Sequence, residues 1–357
     1  MATSKNQSNA RPLKARFRSW LGRLVIACAW GYPIALVVIY LALDRVGEDW
    51  WVTTALLYAP RISFGAPLVV LVPALWLMGR RRLLLTQAVA LLVLIFPLMG
   101  LVLPGLGGTS SGPSLALMTF NVNSEYEGPA TILRHIDAIK PDIVLLQEAT
   151  WGGPMEGALK TRFPFTESST QFVIGSRYPI LSRTEPEKVL NQGKQRSPRF
   201  MRYVIDSPIG KLALYSLHPI SPRGSMGIAR FRGTLHRIRT GEIWAGDPES
   251  DVVANAALRV SQVHYAAQLA SQESLPVLLA GDTNLPGASA ALRREFGQFS
   301  DAFRDAGWGF GYTYPQKYPW LRLDRVMASP SLKFSEFRVG CPAASDHLCV
   351  SVHISKR

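Results

Sequence analysis

Apolar and polar positions keep two different rhythms along the chain, and the change falls near residue 104. Before it, the stretches 24–43, 62–79 and 83–103 contain no charged side chain. A helix rises about 1.5 Å per residue, so each stretch is close to the length that crosses a hydrocarbon core roughly 30 Å thick. Pro33, Pro67, Pro73 and Pro97 lie inside them and would weaken helices in water, but membrane helices tolerate proline better. The pattern predicts three transmembrane helices after a basic cytoplasmic segment, residues 1–23. The second is the weakest, being the shortest and abutting Arg61. A cleaved signal peptide is the competing reading of the first stretch. Two further apolar stretches and the lack of a clean small-residue cleavage site weigh against it.

Residues 104–113, PGLGGTSSGP, read as a linker. Beyond them the period shortens. LALMTFN (115–121), DIVLLQE (142–148), FVIGS (172–176), YVID (203–206), KLALYSLH (211–218), VLLAGD (277–282), LDRVMAS (323–329) and LCVSVHI (348–354) read as strands. ATILRHIDAI (130–139) sets Ile132, His135, Ile136 and Ile139 on one helical face, and a longer helix covers about 254–271. Strands interleaved with helices over residues 114–357 predict one α/β layered domain with room for a substantial core. No internal repeat or heptad pattern interrupts it.

Charge changes the picture in one respect. The chain carries 39 Lys and Arg against 25 Asp and Glu, a net +14 that would suit a nucleic-acid binder. More than half of that excess lies before residue 112. Lys5, Arg11, Lys14, Arg16, Arg18 and Arg23 precede the first apolar stretch, and Arg80, Arg81 and Arg82 fill the turn between the second and third. The intervening loop holds Asp44, Glu48 and Asp49 instead. Basic residues stay on the cytoplasmic side, so three crossings place everything after residue 103 outside the cytoplasm, as in a multi-pass membrane protein. Cys28 reads as apolar filler. Cys341 and Cys349 lie eight apart in the outer domain, where a disulfide could persist, although spacing does not establish one.

Candidate chemistry sits where apolar runs end. Asn121 ends one strand, Glu148 a second and His218 a third; Asp282 and Asn284 follow a fourth. Asp324 enters the strand after Arg322, and Asp346 and His347 precede the last. Each alone is ordinary turn chemistry. Together at one rim they would make a site of oxygen donors and imidazoles, suited to phosphoester cleavage with a divalent metal. Mg²⁺ (or Mn²⁺) needs few carboxylates because it keeps several waters. Zinc-type Cys/His spacing is absent, and no G-x-S-x-G supports a serine hydrolase. Between His218 and the long helix lie Arg223, Arg230, Arg232, Arg237 and Arg239 with His236, either a solvated face or a basic rim for an anionic substrate. Gly246–Asp247 follows no apolar run and reads as a turn.

The order TFNV (119–122), LLQE (145–148), GSRYPI (175–180), SLHP (216–219), AGDTN (280–284), RLDRV (322–326) and SDH (345–347) resembles the endonuclease/exonuclease/phosphatase superfamily over essentially all of 114–357. The resemblance implies a four-layer α/β sandwich, two packed mixed sheets flanked by helices, with the site at one end of the sheets. It implies that Glu148 is the principal metal ligand, Asp346 a metal-side carboxylate, and Asn121 an orienting residue on the metal or phosphate side. Asp282 would align the water, Asn284 would donate to phosphate, His347 would touch phosphate, and Asp324 would brace a histidine. His218 stands where abasic-site nucleases usually carry Tyr, which points to the deoxyribonuclease-like and phosphatase branches. Three apolar stretches before such a domain resemble the bacterial membrane-bound branch, which includes glycopeptide-resistance-type proteins linked to undecaprenyl pyrophosphate. The expected partners are therefore the lipid bilayer and an anionic, lipid-linked phosphate. An extracytoplasmic metal-dependent endonuclease is the alternative, weakened by the lack of an aromatic-interleaved basic run. A non-catalytic binding domain is disfavoured because every expected catalytic position is filled. Nothing in the sequence indicates a protein partner.

Overall fold

The structure, a computed structural model, describes residues 13–104, 112–150, 152–191, 193–226 and 251–357. Lys5, Arg11, most of the linker, Arg230, Arg232, His236, Arg237, Arg239 and Gly246–Asp247 lie outside the described residues. The chain forms two compact units. One holds Met1–Leu41 and Arg61–Met99, the other Ala42–Pro60 and Gly100–Arg357.

The apolar stretches are helical, and the first helix also takes in the charged residues that flank its stretch. A helix runs Leu13–Arg45, a second Ala66–Leu77, and a third Leu84–Val93 continues through a π turn at Leu94–Leu98 that carries Pro97. Val69, Leu77 and Leu85 are more than two-thirds exposed, which suits hydrocarbon far better than water. Where helices touch, polar side chains bond backbone: Thr86 Oγ1 and Gln87 Nε2 both donate to Ala29 O, at 2.9 and 3.0 Å. Arg61, awkward beside an apolar stretch, is buried and donates to Leu98 O at 2.9 Å. Among the described residues, Trp20–Arg45 and Arg81–Leu98 are long and apolar enough to cross a membrane. The middle stretch qualifies only if Trp51–Tyr58 and Arg61–Leu77 count as one broken span. Ala66–Leu77 alone is 12 residues, about 18 Å of helix, too short to cross unaided. The described residues thus offer two candidate spans, or three if the broken pair counts as one.

The second unit contains β1 (Leu115–Asn121), β2 (Ile143–Gln147), β3 (Phe165–Ser169), β4 (Phe172–Ser176), β5 (Ile180–Thr184), β6 (Val189–Asn191) and β7 (Lys194–Arg196). It continues with β8 (Phe200–Ser207), β9 (Gly210–Leu217), β10 (Val277–Asp282), β11 (Ser300–Asp301), β12 (Asp324–Ala328), β13 (Leu332–Gly340) and β14 (Cys349–Lys356). One six-stranded sheet has the order β13-β14-β1-β2-β4-β3, and the other β11-β12-β10-β9-β8-β5. The central strands are apolar on both faces because both faces are covered. Leu117 of β1, Leu145 of β2 and Leu278 of β10 meet in the core between the sheets. Their neighbours Met118, Val144 and Leu146 face outward onto Ile132, Ile136, Met155 and Leu159 of the helices Pro129–Ile139 and Pro154–Lys160. Leu279 faces the opposite way, onto Val263, Ala266 and Ala270 of the helix Asp251–Ser271. The result is two mixed sheets flanked by helices, an α/β fold.

Ala42–Pro60 belongs to this unit, although the sequence places it between two apolar stretches. Buried Glu48 accepts from Ser289 Oγ and from Ala291 N (3.1 Å), capping the helix Ala290–Phe296. Arg293 Nε donates to Asp44 Oδ1 at 2.9 Å and its Nη2 to Asp44 O at 2.8 Å. Gly47 has φ +51, and a Cβ there would lie 2.7 Å from Ala290 Cβ, so only glycine permits this approach. Cys341 and Cys349 are joined by a disulfide that closes the loop bearing Ser345, Asp346 and His347.

Candidate active site

Strand direction decides where the polar strand ends meet. β1 and β2 are parallel, as are β9 and β10, so Asn121, Glu148, His218 and Asp282 all leave C-terminal strand ends. β14 and β12 run antiparallel to β1 and β10, bringing the residues at their N-terminal ends, His347 and Asp324, to the same edge. Gly281, at φ +140, lets β10 close on β9: a Cβ there would sit 2.1 Å from Leu217 O. Beneath the rim, buried Gln147 donates to Ser216 Oγ at 3.2 Å and pairs with Thr119, pinning one sheet to the other.

Asp282 is the hub. Its Oδ2 accepts from Asn121 Nδ2 at 3.1 Å and lies 3.7 Å from both His218 Nε2 and His347 Nε2. Its Oδ1 accepts from Asn284 N at 2.8 Å. Asn121 Nδ2 also donates to Glu148 Oε1 at 3.0 Å, and the amide is oriented because its Oδ1 accepts from Asn123 N at 3.0 Å. Asp324 Oδ2 accepts from His347 Nδ1 at 2.8 Å, which fixes the imidazole and turns Nε2 toward Asp282. Burial opposes charge on His347, but Asp324 and Asp282 outweigh it and raise its pKa to about 9. Burial likewise pushes the Glu148 carboxyl up; contacts with His218 and Asn121, with Arg223 nearby, overcome this and hold it at about 2. Glu148 and Asn284 both adopt positive φ, 53° and 49°, uncommon outside glycine and frequent at functional sites.

Of these side chains Glu148 and His218 border a cleft of about 650 Å³, lined also by Gln171, Arg199, Arg223 and Asn255 among others, while Asn121, Asp282, Asp324 and His347 are buried. A slightly larger hollow, about 730 Å³, lies at Val260, His264 and Glu295 and contains none of the strand-end residues. Size does not select the site; chemistry does. Gln171 and Arg199 carry no signal in the sequence, yet both hold His218. Gln171 Oε1 is 2.6 Å from His218 Nδ1, and Arg199 Nε donates to His218 O at 3.0 Å. Arg199 Nη2 lies 3.2 Å from the same Nδ1, so two side chains fix the ring. Tyr314 packs its ring 4.7 Å from that of His347.

The side chains suit a hard divalent cation. Glu148 is ionised and partly open to the cleft, and His218 Nε2 is buried without an in-line hydrogen bond. Asp282, Asp324 and His347 form a second group, with donor atoms within 4.8 Å of one another, that could hold a metal. Between them, Glu148 faces the cleft, whereas His347 Nδ1 is already committed to Asp324. Asp346 is turned differently from the other expected residues: it pairs with Arg223, whose guanidinium lies 5.2 Å from the Tyr314 ring centre. Asn284 Nδ2 donates to Pro219 O at 3.0 Å, a bond that uses one of its two N–H groups.

No curated protein matches the chain. Among solved structures it is similar to an endonuclease/exonuclease/phosphatase from Beutenbergia cavernae, at 17% identity over 68% of this chain and 72% of that one, with a TM-score of 0.47. It is also similar to a mannosyl-6-phosphatase from Bacteroides thetaiotaomicron (14% identity, 67% and 99% coverage, TM-score 0.48). The human Nocturnin catalytic domain gives 15%, 70% and 97%, and 0.48. The Endonuclease/Exonuclease/phosphatase family model matches residues 118–347, more than half of the sequence and every strand end described above. The chain therefore belongs to the endonuclease/exonuclease/phosphatase family, whose members are phosphoesterase and nuclease hydrolases.

Proposed function

We propose that the protein is a membrane-anchored, divalent-metal-dependent phosphoester or phosphoanhydride hydrolase, facing outside the cytoplasm of a bacterial cell and acting on a lipid-linked phosphate. The observation that carries this reading is Asp282, one carboxylate shared by Asn121, His218 and His347 beside ionised Glu148. Glu148, steadied by Asn121, would hold Mg²⁺ or Mn²⁺, which neutralises charge on a phosphoryl oxygen when bound. Asp282 orients the attacking water and takes its proton. His347, kept protonated by Asp324, donates Nε2–H to the phosphoryl oxygen as charge builds there, and the Asn284 amide adds a second donor. Arg199 and Arg223 flank the cleft and attract an anion.

A lipid-linked substrate follows from the tethering. The chain passes between the anchor unit and the catalytic unit at 41/42, 60/61 and 99/100. Such attachment keeps the enzyme at the bilayer, where encounter with a lipid is nearly two-dimensional and effective concentration rises. A disulfide in the catalytic unit suits an oxidising, extracytoplasmic setting. Purified full-length protein with Mg²⁺ is expected to release phosphate from undecaprenyl pyrophosphate in micelles faster than it cleaves duplex DNA. Robust DNA cleavage without lipid phosphate release would replace this reading with the nuclease. Topology is checked separately. Alkaline phosphatase fused after Pro113 is expected to be active and a green fluorescent fusion dark; the reverse would put the domain in the cytoplasm.

A further inference from the structure

We infer that Tyr58, from the segment joining the first two apolar stretches, is a positioning residue for Asn284, which makes that segment a working part of the catalytic unit. The observation is a hydrogen bond across 226 residues: Tyr58 Oη donates to Asn284 O at 2.6 Å. Tyr58 is itself held, since its backbone O accepts from Trp320 Nε1 at 3.1 Å and the Arg259 guanidinium lies 5.7 Å from its ring centre. Burial pushes its hydroxyl pKa up, so it remains a donor. The turn it grips is the one that needs holding. Asn284 sits at φ 49°, its N is bound to Asp282 Oδ1, and its side chain to Pro219 O. Tyr58 fixes the remaining group, the carbonyl, and with it the peptide plane between Asn284 and Leu285. One turn therefore sets both the Asn284 amide and the Asp282 rotamer, and the Tyr58 hydroxyl locks it.

The same segment also docks through Asp44 and Glu48, which bind Arg293, Ser289 and Ala291 and do not touch Asn284. That separation permits a test in the full-length protein, resting on the hydrolase reading for its kinetic part only. Tyr58→Phe removes one oxygen and keeps the ring. It is expected to lower kcat about tenfold with KM changed less than twofold, and to accelerate hydrogen exchange in the 282–286 turn by a similar factor. Arg293→Gln weakens the docking and should lower the unfolding temperature while leaving kcat and exchange in that turn near wild type. Wild-type kcat and wild-type exchange in Tyr58→Phe overturn the inference. So does an equal loss of kcat in Arg293→Gln, which would show that docking in general, not Tyr58, matters. A wild-type protein with no hydrolytic activity would defeat the functional reading, and the exchange measurement would still decide the role of Tyr58.

Discussion

Asp282→Asn is expected to fold as the wild type does and to lose at least about two orders of magnitude in kcat. The replacement is nearly isosteric. Its carbonyl oxygen can still accept from Asn284 N, the bond that Asp282 Oδ1 makes at 2.8 Å. That choice turns the new NH₂ toward Asn121 Nδ2 and His347 Nε2, both donors, which lie 3.1 and 3.7 Å from the carboxylate oxygen it replaces. Donors then face donors, and no base remains to align and deprotonate water. Circular dichroism and the unfolding temperature establish that the fold survives; steady-state kinetics with Mg²⁺ measure the loss. Full activity in this variant, or full wild-type activity in excess chelator, would falsify the mechanism.

The largest expected effect on stability lies at Asp301. Its Oδ1 accepts from Phe303 N at 3.0 Å, capping the helix Ala302–Ala306, and from Arg322 Nη1 at 2.7 Å. Its Oδ2 takes Arg325 Nη1 at 3.2 Å. The Arg325 side chain is fully buried, and that of Asp301 is 16% exposed. Burial raises the Asp301 carboxyl, but Arg322 and Arg325 prevail and hold it near 2. Asp301→Ala leaves Arg325 charged and buried without its acid, a change that costs about 3–5 kcal/mol. The unfolding temperature should fall by roughly 10 °C. The pH dependence has a definite sign. A carboxyl whose folded pKa is about 2, against 3.8 ordinarily, contributes fully above pH 4, about 2 kcal/mol. That contribution is lost as pH falls from about 4 to 2. Asp301→Asn should lack this acid-dependent loss, and denaturant titrations between pH 5 and 2 would show it. Parallel acid curves for the two proteins would mean that the ion pair does not stabilise the fold.

How much of this was legible beforehand depends on where each residue's partners lie. β1, β2, β4 and β10 are buried on both faces, so they appear as unbroken apolar runs, and a polar residue ending one stands out. Asn121, Glu148 and Asp282 stand out for that reason, and His218, Asp324 and His347 stand out because they adjoin the apolar runs of β9, β12 and β14. Edge strands were not: β5 is mostly exposed, and β13 carries a bulge between Ser335 and Arg338, so neither keeps a clean alternation. The helices Pro154–Lys160, Ala290–Phe296 and Ala302–Ala306 are too short to show a period.

Local periodicity was enough to reveal the apolar N-terminal stretches, the α/β class and the polar residues at the strand ends. Only the tertiary structure decided which long-range partners complete them. Gln171 and Arg199 meet His218 from a hairpin turn and a loop, and Asp346 faces Arg223. Residues 44–60 pass as a loop between two apolar stretches until Glu48 is seen bound to Ser289 and Ala291, 241 and 243 residues away. The same holds for Tyr58 and Asn284. Periodicity records which face of a strand or helix is buried, and it says nothing about which distant donor a buried carbonyl will find.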